Sequence, residues 1–368
     1  MRVATGEIIV FRLFELAYGI DLAQAEAAWR AHAGEEAGRR DRLSATPPKA
    51  VAYDVPPLLL SLGEVPAALV EERPVQLAAR LFDFGVVSLS VRVQARDLSW
   101  PEFCALAERL NTRLGPESDA SLWSDALDTL RRVVGTALER PNPAVLVEDY
   151  LVGLVRAFDR PADADAILRD LDPVPLLSGE TRPLSEGARA DLLAHRFSFY
   201  TDDLAILTWD RAFIVEPRGD RDVLDVLEVA NAQLLEMRYY DELLDDELPR
   251  MYDLVEETRR AGGFGSSRRF GLLARRLYAL VAEVTELTEK TDNALQVTED
   301  VYLARIYGAA LELFRVPLVS AAVDRKLSII RDTYAALYEE ASAARGALME
   351  FTIVILIVIE LLLALFRA

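Results

Sequence analysis

The apolar positions of this chain change their period along its length. In "VVSLSVRV", Val87, Leu89, Val91 and Val93 alternate with Ser88, Ser90 and Arg92, the period of two that predicts a half-buried strand. "EIIVFRLFEL" (7–16), "PLLLSLG" (57–63) and the two halves of "VQLAARLFDFGVVSLSVRV" (75–93) also read as strands, the last two meeting near Asp83–Gly85. "HRFSFYTDDLAILTWDRAFIVEP" (195–217) predicts three short strands, split at Asp202–Asp203 and Trp209–Arg211. Helix signals lie between them. Asp21 is placed to cap a helix from Leu22, and Ser99 with Pro101 to open one over 99–111. Residues 33–50 predict a loop, 120–170 helix cut by "RPNP", and 172–184 a Pro-rich linker.

From Asp220 onward the period is helical. Phe270, Leu273, Leu277, Leu280, Val284 and Leu287 recur three and four residues apart. So do Val323, Leu327, Ile330, Tyr334, Leu337, Ala341, Ala344, Leu348 and Phe351, which form a heptad seam. The seam fits either a second chain or the 270–287 helix of its own chain, reached through the "AGGFGSS" turn. Pro317 predicts the first turn of the last helix, which runs on into "MEFTIVILIVIELLLALF". The fold class expected is α+β. Residues 1–219 form an N-terminal domain with a mixed or antiparallel sheet and helices, including a helical segment at about 112–194. Residues 220–346 form an all-α antiparallel helical stalk, and 347–366 a C-terminal transmembrane helix.

As a helix, 347–366 rises about 30 Å, the thickness of a hydrocarbon core. Arg345 and Arg367 flank it and reach the two interfaces. Glu350 falls at headgroup level. Glu360 lies deeper, where a carboxylate costs roughly a few kcal/mol unless it is protonated or paired. Packing of several anchors, with carboxyl groups hydrogen-bonded across helices, is the expectation for Glu360; tolerated placement and a proton- or ion-linked role are the alternatives. In this reading the bulk of the chain is cytoplasmic and the membrane is crossed once. The competing reading buries the same helix inside a soluble oligomer.

Charge and composition narrow the rest. A formal charge of −19, from 41 Lys and Arg against 60 Asp and Glu, argues against direct nucleic-acid binding, which needs clustered cations. It also keeps the body off an anionic lipid surface. The lone Cys104 rules out an internal disulfide, and His32 and His195 leave little room for histidine-based catalysis. In "AGGFGSSRRFG", Ser266, Ser267, Arg268 and Arg269 stand at a helix start where an anion can bind, although a turn and cap is the plainer reading. In "YYDELLDDE", Asp241 and Asp245 share a helix face and are weak candidates for a hard cation, against a solvated face. No catalytic residue and no cofactor is expected. The expected partners are the lipid bilayer, further copies of the chain and an unidentified protein. A membrane-associated enzyme or binding protein acting on a phosphorylated or metal-bound ligand is the alternative.

The last helix resembles the C-terminal signature of the "required for meiotic nuclear division" family of membrane-associated proteins. Lys326, Leu327, Tyr334, Glu350, Phe351, Ile359 and Glu360 occupy the places of that pattern. "GIDL" (19–22), "LFDFGVVSLSV" (81–91) and "ANAQLLEMRYYDELLD" (230–245) are similar to its upstream elements. The family's Pro-x-x-Phe-Trp signature has no counterpart; "DNALQVTEDVYLARIY" stands in its place. The resemblance implies a membrane tether or a support for translation, working as an oligomer, and no catalytic residues.

Overall fold

The computed structural model describes residues 1–34, 38–40, 51–65, 70, 75–118, 120–142, 146–261, 266–292, 295–297 and 301–367. The chain opens with β1 (Arg2–Glu15), β2 (Ala17–Ile20) and α1 (Leu22–Ala33). The Asp21 carboxylate accepts from Ala23 N and Gln24 N at 3.0 Å each, satisfying donors that a helix start leaves open. Strands β3 (Gly38–Arg40), β4 (Val51–Tyr53), β5 (Leu58–Val65), β6 (Val75–Leu81) and β7 (Val86–Ser99) follow. Then come α2 (Trp100–Leu114), α3 (Leu122–Val134), β8 (Leu138–Pro141) and β9 (Val147–Phe158). Ser99 and Glu102 close a capping box at the start of α2. Next are α4 (Ala164–Asp170), α5 (Val174–Ser178), α6 (Glu186–Leu192), β10 (Arg196–Phe197), β11 (Leu204–Leu207) and β12 (Arg211–Val215). The remainder is α7 (Asp222–Ala261), α8 (Ser266–Asp292), β13 (Leu295–Val297), α9 (Val301–Leu313) and α10 (Val316–Arg367).

Nine strands form one mixed sheet in the order β10-β11-β12-β9-β1-β7-β6-β5-β3. Every adjacent pair is antiparallel except β12 on β9. Strands alternate their side chains between the two faces. On one face Ile8, Val10, Leu77, Ala79, Leu81, Leu89, Val91, Leu151, Val155 and Phe213 pack into a core with Trp29, Phe103, Leu110 and Leu130 of α1 to α3. Trp100 meets Phe213 edge-on at 5.1 Å.

The other face is covered too. Arg80 pairs with Asp225 and Glu228 of α7, Glu148 with Arg238, and Tyr150 meets Phe314 just beyond α9. The expected half-buried β7 is therefore buried on both sides: Ser88 is 0% and Ser90 6% exposed. Further expectations fail for the same reason, tertiary cover overriding local pattern. Gly38–Arg40, inside the expected loop 33–50, pairs with Leu58–Leu60; 35–37 and 41–50 lie outside the described residues. The stretch 120–170 is not mainly helix, since Val147–Phe158 is the central strand β9, flanked by β1 and β12. The linker 172–184 contains α5, whose Val174, Leu176 and Leu177 are buried.

The chain divides into two compact units. The first joins Met1–Tyr239 with Lys290–Pro317, so it includes the start of α7 and all of α9. The second joins Tyr240–Glu289 with Leu318–Ala368. In the second, Leu273, Leu277 and Val284 of α8 are buried, as are Val323, Leu327, Ile330 and Leu337 of α10. Tyr278 and Tyr334 bring their rings to 5.8 Å. This stretch of the heptad seam is thus covered within one chain.

The β6–β7 turn demands a glycine. Gly85 has φ +102°, and a Cβ there would meet Ala17 O at 1.9 Å. The turn cannot yield easily, because Leu16 N donates to Gly85 O at 3.0 Å and Ile20 N to Asp83 O at 2.9 Å. Gly85→Ala is expected to cost about 2–4 kcal/mol in urea unfolding; a loss under about 0.5 kcal/mol counts against this account of the turn.

Candidate functional site

Two regions stand out, one exposed and apolar, one buried and charged. The first is the end of α10. Ile353 to Ile359 and Leu362 are each 41–60% exposed, and Thr352 and Glu360 are exposed beside them. Glu350 is exposed as well. The side chains of Arg345, Leu348, Phe351, Leu361 and 363–367 lie outside the described residues. Among the described residues no single helix is long and apolar enough to cross a membrane.

The remaining sites read from sequence are reshaped by their neighbours. α8 begins at Ser266, and the side chains of Ser266, Ser267, Arg268 and Arg269 lie outside the described residues. Asp241 and Asp245 do share a helix face, but a lysine occupies it. Lys326 Nζ is 2.6 Å from Asp241 Oδ1 and 2.7 Å from Asp245 Oδ1. Desolvation works to lower the Lys326 pKa, and hydrogen bonds to the two aspartates outweigh it and raise it. Among the described residues no group of three or more His, Cys, Asp or Glu could hold a metal. Burial pushes the Cys104 thiol up to about 12, the opposite of an activated nucleophile.

The second region was not legible beforehand. Between the sheet and the start of α7 runs a buried polar seam. Arg80, 2% exposed, stands 2.8 Å from Asp225 Oδ1 and 3.0 Å from Glu228 Oε2. Burial raises the Glu228 pKa, and the charge of Arg80 opposes the shift. Arg92 is lowered to about 10 by burial and by the neighbouring Arg221. Farther along α7, Tyr307 Oη donates to Gln233 Oε1 at 2.6 Å. Arg238 binds Glu148. Near that end Glu15 and Glu236 face each other, 1% and 0% exposed. The available signal was a match of stripes: acids at 225, 228 and 236 repeat on one helix face, and Arg80, Ser88, Ser90 and Arg92 lie on one sheet face.

A third feature is a surface cavity of about 410 Å³ lined by Ala105, Glu108, Arg109, Thr112, Arg113 and Thr181. Glu108 at its wall accepts from Arg211 Nη1 at 3.0 Å. Gly179, at φ +67°, leaves room for that guanidinium, since a Cβ would meet Arg211 Nη2 at 2.4 Å.

Removing the seam's cation strands two buried acids. Arg80→Met is expected to destabilise the protein by about 3–5 kcal/mol in chemical denaturation. Adding Asp225→Leu and Glu228→Leu to the same variant is expected to recover most of that loss; a further loss instead counts against charge compensation as the seam's main constraint.

The comparisons with known proteins match the sheet-bearing part of the chain. The uncharacterized protein MJ0711 of Methanocaldococcus jannaschii is 26% identical over 231 residues, covering 62% of this chain and 69% of that protein. No solved structure matches. A family model described as "Uncharacterized protein MJ0711, N-terminal domain" matches residues 5–221, ending one residue before α7. The chain belongs to that family.

Proposed function

We propose that this protein is a C-tail-anchored, homo-oligomeric membrane scaffold with no catalytic role, its α+β body held on the cytoplasmic side. One observation carries the reading: Ile353 to Ile359 and Leu362 are exposed around the helix. An apolar surface of that kind marks an interaction site rather than a water-facing one. The sequence supplies the length, since 347–366 is interrupted only by Glu350, Thr352 and Glu360. Lipid suits the isoleucines, valines and leucines. Glu360 suits a neighbouring helix, because a carboxyl group in hydrocarbon is stabilised by a hydrogen bond across an interface.

Two further features support a scaffold over an enzyme. The acidic pair Asp241 and Asp245 is engaged by Lys326. The net charge of −19 leaves apolar burial, rather than attraction to anionic headgroups, as the means of attachment. The resemblance of the last helix to the "required for meiotic nuclear division" family points the same way.

Expressed at full length, the protein is expected to stay in the membrane pellet after carbonate extraction; release into the supernatant overturns the anchor and favours burial within a soluble oligomer. In detergent the particle is expected to be larger than one chain, and Glu360→Leu to shift it at least about fivefold toward monomer, or about 1 kcal/mol per association step. A wild-type monomer, with Glu360→Leu unchanged, removes the scaffold reading.

A further inference from the structure

We propose that Glu15 and Glu236 form a proton-holding latch, keeping hydrogen between their carboxyl groups at neutral pH, fastening α7 to the sheet and loosening it when that hydrogen is lost. The inference concerns the first unit alone and does not depend on the membrane reading.

The geometry starts with Glu15. It ends β1 opposite Val86, beside the Gly85 turn, and is 1% exposed. Neither of its carboxylate oxygens receives a hydrogen bond from an N–H or hydroxyl donor among the described residues. Glu236 faces it from α7, 0% exposed and within hydrogen-bonding reach. Two ionised carboxylates are both acceptors, so neither can donate to the other. One added hydrogen turns the same contact into a hydrogen bond between a carboxyl donor and a carboxylate or carbonyl acceptor.

The surroundings favour that hydrogen. Asp83 of the β6–β7 turn, another acid, acts on Glu236 and raises it further. From α7 the neighbouring cation Arg238 is drawn to Glu148 of β9. From the sheet, Arg80 is held by Asp225 and Glu228, about three and two turns earlier on α7. A metal ion is the competing guest for two acids, but no third His, Cys, Asp or Glu joins them among the described residues. Burial accordingly pushes Glu15 up to about 8, with the hydrogen bond from Glu236 opposing it, and raises Glu236 as well.

The sign of the linkage follows. The folded state holds protons that the unfolded chain releases near the ordinary carboxylate value of 4.5. The pair's stabilising contribution is therefore complete below that value and is lost as pH rises through about 8. Burial also raises Glu228, Glu148, Asp149 and Asp210, so the pair must be isolated by difference.

The test is hydrogen exchange on the full-length protein, corrected for intrinsic rate, read in the segments around Glu15 and Glu236 between pH 6.5 and 9. Wild-type protection there is expected to fall about tenfold across that range. Glu236→Gln replaces the carboxyl donor by an amide donor and is expected to keep protection at pH 9 within about threefold of its value at pH 6.5. Parallel profiles for wild type and variant overturn the latch. If Glu236→Gln fails to fold, infrared difference spectra of the wild type and Glu15→Gln decide. A protonated-carboxyl band present at pH 7, lost by pH 9 and missing from Glu15→Gln supports the proposal, and no such band at pH 7 overturns it. Protection restored at pH 9 by added Mg²⁺ or Ca²⁺ in the wild type but not in Glu15→Gln assigns the pair to a cation and also overturns it.

Discussion

The architecture of the first unit depends on a rule about charge: a buried ion must meet its counter-ion. Arg80 projects from the sheet and is almost wholly enclosed, so the helix laid over it must carry acids at the right spacing. Asp225 and Glu228, three residues apart on α7, supply them. A hydrocarbon-faced helix would have covered the same strands with less penalty. The polar seam instead fixes the register of α7, because a slide of one turn would separate Arg80 from both acids. Glu148 with Arg238 repeats the constraint at the other end of the contact. We regard such pairs as devices of placement more than of stability.

Much of the fold was visible in local chemistry. Asp21 before Leu22, Ser99 with Glu102, and the Asp83–Gly85 turn each combine a short-range hydrogen bond or a required dihedral with a recognisable residue. Such signals survive because they act within a few residues. The central strand β9 was invisible for the opposite reason. "VEDYLVGLVRAF" is buried against α2 and α5 on one face, where Gly153 makes room for Leu176, and against the α7 side on the other. A strand covered twice shows no alternation and is easily taken for helix. The helix α5 hid behind its prolines, although Pro173 and Pro175 sit at its start where a proline is welcome.

The candidate sites divide along the same line. The apolar residues at the end of α10 stand out in the sequence, and Ile353 to Ile359 and Leu362 among them are exposed. The acids of α7 gave no comparable signal, because a row of aspartates and glutamates on a long helix ordinarily faces water. Their meaning depends on strands more than a hundred residues earlier, such as the one bearing Arg80, 145 residues from Asp225. The lysine that claims Asp241 and Asp245 lies 85 residues after the first of them. Pairings at that range belong to topology, and no short window of sequence contains them.

The first unit is assembled from two pieces of chain, with residues 240–289 leaving it between them. A nascent chain that has emerged only as far as the end of α7 still lacks Lys290–Pro317, including α9 and the Phe314 that packs on Tyr150. Ribosomal synthesis therefore leaves one flank of the sheet uncapped until the second unit's first helices have already been made. That interval, rather than the time after release, is when this architecture is most exposed to misassembly.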